Sequence, residues 1–262
     1  MDVLAFGTHP DDLEIACAGT LILLANQGHQ VGAVDLTRGE LGTRGTEEIR
    51  AQETAAANRH LKLFVRENLG IPDGRVEKSR ENLLKVIRAI RQHRPRLVLA
   101  PYWEGRHYDH IHASHLVAEA AFYSGLSKIE TGQESFRPFR VLFYVSRVGF
   151  HPSFVVDIAE TFDAKMQAVR SYRSQFYKDQ QSGAGGGSAT EQETAPEAEP
   201  ETMISTPLAL EVLETMSRYY GAMIGTRYGE PFLVKEPLEI PDMVSFFRAF
   251  PDSKQAHLFP PR

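Results

Sequence analysis

A polar segment near the start of the chain contains residue types that bind metal ions and transfer protons. It reads Thr8-His9-Pro10-Asp11-Asp12-Leu13-Glu14. His9 and Asp12 are three positions apart, so one helical turn or a tight bend can direct both side chains at a single ion. Asp11 would then stand beside the metal without being a ligand, as a general base for a metal-activated water would. The structural alternative is a helix start, because proline and acidic residues both suit the first turn of a helix.

A second polar cluster follows an apolar run at residues 97–100. Four of the nine residues from 107 to 115 are histidines, namely His107, His110, His112 and His115. Histidines at such spacings are typical of metal sites, and the alternative is a polar loop with solvated histidines. The first two are three positions apart and so are the last two, so the spacing alone does not choose the ligand pair.

The elements that must position these clusters alternate between strand and helix. Short apolar runs predict strands at residues 3–6, 30–36, 64–65, 97–100, 141–146 and 154–157. Helical spacing and capping residues predict helices at residues 14–27, 47–61, 81–92, 113–123, 162–176 and 208–224. Glycines predict a loop at residues 37–46, and Pro72-Asp73-Gly74 predicts a turn.

This alternation predicts an α/β fold that is Rossmann-like, with a mostly parallel sheet and helices on both faces. Both polar clusters follow predicted strands, so they should meet at the carboxyl edge of the sheet, where such folds bind ligands. Two histidines and one carboxylate would leave coordination positions open, as in catalytic zinc sites rather than structural ones. The same donors also suit Fe²⁺ or another divalent transition metal.

The composition excludes several classes of protein. Of the 262 residues, 42% are apolar, which is enough for a sizeable core in one domain spanning residues 1–262. The single cysteine, Cys17, excludes an internal disulfide framework and metal sites built mainly from thiolates. The net charge of −5 gives no support to nucleic-acid binding. No apolar stretch approaches the ~20 residues of a membrane span, and the N-terminus has no signal-peptide pattern, so a cytoplasmic protein is expected.

Two segments differ from the rest of the chain. Residues 180–202 are rich in glycine and then in glutamate, with no buried-face periodicity, which predicts a flexible acidic and glycine-rich insertion. The alternative for this segment is an acidic interaction loop. The tail after Ile240 contains Phe246, Phe247 and Phe250, and we expect it to pack on the body or on a neighbouring subunit.

Several motifs together resemble the PIG-L/LmbE-like family of zinc-dependent N-acetylglucosaminyl deacetylases. They are residues 7–14, residues 35–45, Pro101-Tyr102 with residues 106–110, Ser174-Gln175-Phe176, and Tyr228-Gly229-Glu230-Pro231-Phe232. The resemblance covers nearly the whole chain apart from the insertion and the extreme tail. Within the family, the sequence is most similar to deacetylases that act on N-acetylglucosaminyl L-malate in bacillithiol biosynthesis.

The resemblance implies a role for each matching residue. It implies zinc ligation by His9, Asp12 and His110, catalysis by Asp11 and His107, and substrate binding by Arg50 and Arg106. Asp11 matches the general base, and His107 matches the histidine that stabilises the oxyanion. Tyr108 replaces the family's usual proline without changing the histidine spacing. His112 and His115 match no family role, and we treat them as non-ligands.

Some assignments remain open at this point. Arg38 and Arg44, in the glycine-containing loop, compete with Arg50 and Arg106 for the substrate's carboxylates. Asp109 either orients His107 or His110 or caps its loop. Either His107 or Asp11 can protonate the leaving amine.

The expected activity is therefore zinc-dependent removal of the N-acetyl group from N-acetylglucosaminyl L-malate. One alternative is a deacetylase of another N-acetylglucosaminide, such as a chitin disaccharide or a mycothiol-type precursor. A further alternative is a metal- or sugar-binding protein without turnover. The expected partners are a small glycoside substrate and further copies of the chain in a trimer or hexamer, with no nucleic acid and no membrane.

Overall fold

A seven-stranded sheet forms the centre of the part of the chain that the structure describes. The structure is a computed structural model, and it describes residues 1–145, 150–176 and 200–248. The strands are β1 (Val3–Gly7), β2 (Val31–Asp35), β3 (Val65–Asn68), β4 (Leu97–Pro101), β5 (Arg140–Tyr144), β6 (Phe154–Asp157) and β7 (Gly229–Val234). Their order across the sheet is β3-β2-β1-β4-β5-β7-β6.

The first five strands run parallel, whereas β7 runs antiparallel to both β5 and β6. Val3 of the central strand β1 is level with Val31 of β2 on one side and with Leu97 of β4 on the other. From β1 the chain adds β2 and then β3 on one side, and it later crosses back to add β4 on the other side of β1. A crevice opens between the carboxyl ends of β1 and β4 at such a reversal. The predicted fold class is confirmed.

Helices cover both faces of the sheet. Those in the described residues are α1 (Asp12–Ala16), α2 (Ala18–Asn26), α3 (Glu47–Leu61), α4 (Arg80–His93), α5 (Tyr108–Tyr123), α6 (Phe162–Arg170), α7 (Pro207–Met223) and α8 (Met243–Arg248). Successive β1 side chains alternate between two cores. Leu4 and Phe6 pack with α4 and α5, and Val3 and Ala5 pack with α1 and α2.

The helix predicted over residues 14–27 is broken at Cys17, whose backbone (φ −141°, ψ 13°) is not helical. The cause is tertiary. The amides of Gly19 and Thr20 donate to the carboxylate of Glu230 at 3.0 and 2.7 Å, so they start a new helix instead of continuing the old one. Lys165 also contacts this carboxylate, at 2.6 Å, so the Tyr228–Phe232 motif joins β7 to α2 and α6.

Other element predictions also differ from the structure. Helix α5 begins at Tyr108 instead of residue 113, because the His107 side chain caps its first turn. Helix α6 ends at Arg170 instead of residue 176. Strand β7 was not predicted, because Pro231 interrupts its pattern. Pro231 pairs only with β6, beyond the end of the β5 ladder, so its missing N–H costs no bond to β5.

The two unusual segments are only partly described. Residues 177–199, and so most of the predicted insertion, lie outside the described residues, as does Phe250. In α8, the rings of Phe246 and Phe247 contact each other edge to face, and both side chains are partly exposed. Within the described ranges, no helix is both long enough and apolar enough to span a membrane.

Candidate active site

The crevice between β1 and β4 brings the two polar clusters together. His9 and Asp11 lie in the turn after β1, and Asp12 begins α1. His107 caps the N-terminus of α5, and His110 lies in its first turn. Residues about one hundred positions apart thus meet at the carboxyl edge of the sheet.

Three donor atoms from these clusters form a small triangle. Nε2 of His110 lies 3.3 Å from Nδ1 of His9 and 3.3 Å from Oδ2 of Asp12, and the remaining edge, from His9 to Asp12, is 3.5 Å. Zinc–ligand bonds of ~2.0–2.1 Å in a tetrahedron separate neighbouring ligand atoms by about 3.3–3.4 Å. The donor set therefore fits one divalent transition metal with coordination positions left for solvent or substrate.

The other two histidines of the second cluster are exposed on α5. Neither His112 nor His115 belongs to a group of metal-binding donors within the described ranges. Starting α5 at Tyr108 places His110 on the side of the crevice and leaves these two in solvent. Of the histidines that the spacing left open, the fold brings His110 close to both His9 and Asp12.

The electrostatics of the triangle suit a cation. Burial acts to raise the pKa of Asp12, but His110 and His9 outweigh it and hold the pKa below its usual value. Burial lowers the pKa of His110, which favours the neutral imidazole that a metal requires. The His9 amide also donates to Oδ2 of Asp12 at 2.8 Å and holds the carboxylate in place.

Asp11 stands beside the triangle in a strained backbone conformation. Its φ of 112° and ψ of −23° lie in a region that side chains other than glycine rarely adopt, at a cost of ~1–3 kcal/mol. Burial raises the pKa of Asp11 to about 7, and the nearby Arg50 guanidinium opposes that rise. A carboxylate with a pKa near neutrality is suited to both accepting and returning a proton.

His107 acts as the N-cap of α5 through its side chain. Nδ1 of His107 accepts a hydrogen bond from the Asp109 amide at 3.2 Å. Nδ1 is therefore unprotonated, and the ring's proton is on Nε2. This geometry makes Nε2–H the hydrogen-bond donor of the His107 ring.

Asp73 is a residue of this site that the sequence interpretation missed. The sequence pattern indicates only a turn at this position, but Oδ1 of Asp73 lies 3.0 Å from Nε2 of His9. A carboxylate on the far nitrogen of a metal-binding histidine sets its tautomer and ring orientation. The amides of Leu41 and Gly74 donate to the same carboxylate, which fixes it. The available signal was an acidic residue in the loop that follows β3.

Asp109 faces His9, a partner that the sequence did not suggest, and also lies near the ring of His107. Its Oδ2 accepts the Gly74 amide at 2.7 Å and lies 3.7 Å from Nε2 of His9. Asp73 and Asp109 thus approach the same ring nitrogen, and the Gly74 amide donates to both carboxylates.

A cavity of about 410 Å³ opens over the triangle. His9, Asp11, Asp12, His107 and His110 all line it, together with Tyr102, Tyr144, Leu41, Met203 and Ile204. Its size is in the range of small-molecule sites. A polar floor and partly apolar walls suit a sugar, which has hydroxyl groups and apolar ring faces.

The four candidate arginines are placed differently. Arg50 and Arg106 line the cavity, and neither Arg38 nor Arg44 does. Arg44 donates to the carbonyls of Ser174 and Pro200, and Arg38 pairs with Glu47 on the surface. Arg38 and Arg44 therefore stabilise the loop and do not point into this cavity.

The Ser174-Gln175-Phe176 motif contacts the glycine-containing loop beside the site. Glu53 accepts from the amide and the hydroxyl of Ser174, and Gln175 donates to the carbonyl of Arg44 at 2.7 Å. Gly45, at φ 74°, lies so close to Ser174 that a side chain there would clash. These contacts fix the glycine-containing loop that walls the cavity.

Comparison with known proteins agrees with this geometry. Residues 4–121 match the family model PIG-L, described as GlcNAc-PI de-N-acetylase. The diacetylchitobiose deacetylase of Thermococcus kodakarensis is 30% identical over 245 residues, which cover 87% of this chain and 80% of that protein. The chain belongs to the PIG-L family of N-acetylglucosaminyl deacetylases and is a hydrolase of N-acetyl amides.

Solved structures share the whole architecture. The conserved protein TT1542 of Thermus thermophilus is 38% identical with a TM-score of 0.78, and the match covers 92% of this chain and 98% of that one. The N,N′-diacetylchitobiose deacetylase of Pyrococcus horikoshii, solved with an inhibitor, is 25% identical with a TM-score of 0.71, covering 89% and 83%. The 4-carboxy-2-hydroxymuconate hydratase GalB of Pseudomonas putida is 19% identical with a TM-score of 0.70, covering 93% and 100%, and shows a shared fold alone.

Proposed function

We propose that this protein removes the acetyl group from N-acetylglucosaminyl L-malate, the deacetylation step of bacillithiol biosynthesis. The observation that carries the chemistry is the donor triangle of His9, Asp12 and His110 with Asp11 beside it in one cavity. Hydrolysis adds water across the acetyl C–N bond and releases acetate and the free amine.

His9, Asp12 and His110 would hold a zinc ion, or Fe²⁺ in its place. When bound there, the metal supplies a water of lowered pKa and a Lewis acid for the acetyl oxygen. Asp11 accepts the proton of the attacking water, and its buried carboxylate then holds that proton within the cavity.

His107 stabilises the charge that develops on the acetyl oxygen. Its Nε2–H is the donor, because Nδ1 is bound to the Asp109 amide. Loss of one such donor usually costs ~10²–10³ in rate. A neutral His107 has no spare proton, so we assign protonation of the leaving amine to Asp11, which returns the proton that it accepted.

Arg106 supports the choice of an anionic substrate. It is exposed and lines the cavity, and its Nη1 lies 3.7 Å from the sulfur of Met203, so its charge remains available to a ligand. Malate carries two carboxylates, and a guanidinium binds a carboxylate through paired hydrogen bonds. We therefore place the malate at the Arg106 side of the cavity.

A second candidate substrate is a chitin disaccharide. The diacetylchitobiose deacetylases among the relatives favour it, since their names state that activity. Fold likeness does not decide between substrates, because a hydratase shares the fold.

The decisive experiment compares three substrates on the zinc-loaded protein. These are N-acetylglucosaminyl malate, the methyl glycoside of N-acetylglucosamine, and diacetylchitobiose. We expect the malate glycoside to have the highest kcat/KM. Arg106→Ala should lower that value about tenfold, as expected for one exposed charge-assisted contact, and leave the methyl glycoside unaffected. Highest activity on diacetylchitobiose would overturn the malate assignment.

A matched variant tests the chemistry itself. Asp11→Asn keeps the size of the side chain and should retain one zinc per chain, but its turnover should fall by ~10²–10⁴, the usual contribution of a general base. Wild-type turnover in this variant would refute the assignment of the base. Zinc binding without turnover in the wild type would instead favour the non-catalytic alternative.

Two further expectations belong to this proposal. We place the reaction in the cytoplasm, where a small thiol precursor would be made. We also propose a homo-oligomer, trimeric or hexameric. The exposed apolar residues of α8, among them Met243, Val244 and Phe247, offer it a contact surface.

A further inference from the structure

We propose that Arg50 is a positioning residue that holds Asp11 in its strained conformation by binding the Pro10 carbonyl. The family resemblance implies a substrate-binding role for this arginine, whereas its contacts to Pro10 and Asp11 indicate a positioning role. The inference rests on the proposed function in one respect only, namely that Asp11 is the general base.

The contacts of Arg50 are short and buried. Its Nη1 donates to the Pro10 carbonyl at 2.6 Å and lies 3.4 Å from Oδ2 of Asp11. Both side chains of this ion pair are only 7% exposed. One nitrogen thus contacts the backbone before Asp11 and the carboxylate of Asp11 itself.

The backbone that Arg50 holds is unusual. Asp11, Lys62 and Arg94 are the residues other than glycine with positive φ in the described ranges. Lys62 (φ 56°, ψ 35°) and Arg94 (φ 47°, ψ 54°) end helices in the ordinary left-handed conformation. At φ 112° and ψ −23°, Asp11 lies outside the ordinary left-handed region, so contacts with the surrounding structure must stabilise its backbone. The Pro10 carbonyl belongs to the peptide whose orientation sets this φ, so its bond to Arg50 opposes relaxation.

The surroundings hold the guanidinium where it is. Arg50 lies near the start of α3. The glycine-containing loop closes over its other side. A Cβ atom at Gly39 would lie 3.5 Å from Nη1, and one at Gly42 would lie 3.3 Å from Nη2. These glycines let the loop approach closely enough to confine the guanidinium against the turn after β1.

A positioning role and a substrate-binding role predict different kinetics. A residue that places the base acts on the chemical step, so its loss lowers kcat with little change in KM. A residue that binds substrate equally in the ground state and the transition state changes KM instead. Misplacement of a reacting group by about 1 Å can cost ~10²-fold in rate.

The test uses Arg50→Ala and Arg50→Lys in the zinc-loaded protein, with Thr46→Ala as the control. Thr46→Ala weakens the start of the same helix without touching the Pro10 carbonyl, and its kcat should stay at the wild-type level. Both Arg50 variants should lose about 10² in kcat, with KM and zinc content unchanged. Arg50→Lys retains the positive charge and serves as the test if Arg50→Ala does not fold.

Crystal structures of the Arg50 variants provide a readout that is independent of activity. We expect the Pro10–Asp11 peptide to rotate, φ of Asp11 to leave the positive region, and the carboxylate to move from the cavity. An unchanged Asp11, together with a raised KM and normal kcat, would overturn the proposal and assign Arg50 to the substrate. If the wild type hydrolyses no acetylated sugar, the proposed function fails, and the crystal structures still decide whether Arg50 holds Asp11.

Discussion

Replacing Asp73 tests how the supporting residues of the site prepare the metal ligands. Its Oδ1 lies 3.0 Å from Nε2 of His9, and Nδ1 of the same ring belongs to the donor triangle. Without the carboxylate, the ring can rotate and either nitrogen can carry the proton. Part of the free energy of metal binding is then used to order the ring, so the metal affinity falls.

The expected magnitude follows from the nature of this contact. Partners of metal-binding histidines typically contribute 10–100-fold in metal affinity, which is about 1.4–2.7 kcal/mol. Asp109 lies farther from the same nitrogen, at 3.7 Å, and can replace only part of the contact. We therefore expect Asp73→Ala to bind zinc ~10–100-fold more weakly than the wild type.

The assay is a zinc titration in competition with a chromophoric chelator of known affinity. Asp73→Asn keeps an oxygen acceptor for His9 and should bind zinc more tightly than Asp73→Ala. Glu40→Ala is the control for the loop, because Glu40 accepts the Asp73 amide at 2.8 Å without a contact to His9. Equal zinc affinity in Asp73→Ala and the wild type would refute the reasoning.

Three shorter predictions follow from the same geometry. His110→Ala should lose its zinc during dialysis while His112→Ala retains it, which metal analysis of the purified variants will decide. Lys165→Met leaves a buried carboxylate without its cation and should lower the free energy of unfolding by ~3–5 kcal/mol in a denaturant titration. Zinc at about 100 times its dissociation constant should stabilise the metal-free protein by about 2.7 kcal/mol, and an unchanged melting temperature would contradict a site formed only in the folded chain.

Much of the framework could be predicted from local pattern. Helix α3 has the predicted bounds of residues 47–61, because this segment is rich in alanine and glutamate, which favour helices. Strands β1 and β2 are largely apolar along their length, since both of their faces are buried. Two polar clusters following such strands had to reach the same edge.

Other features depend on contacts that sequence spacing does not show. The break at Cys17 arises because Glu230, more than two hundred residues away, takes the amides of Gly19 and Thr20. The early start of α5 arises because an imidazole acts as its cap. In both cases a side chain accepts hydrogen bonds from backbone amides at the start of a helix, and the local sequence does not show that partner.

The sequence alone indicated where the chemistry should lie, because histidines and carboxylates that follow parallel strands meet at the edge of the sheet where such folds bind ligands. Only the tertiary structure decided which of these side chains act together. It placed His110, but not His112, next to His9 and Asp12. It also placed Asp73 next to His9 and brought Arg50 into contact with the Pro10 carbonyl before Asp11. The physical reason is that distances of about 3 Å between groups from different loops depend on how those loops pack, which residue spacing does not encode.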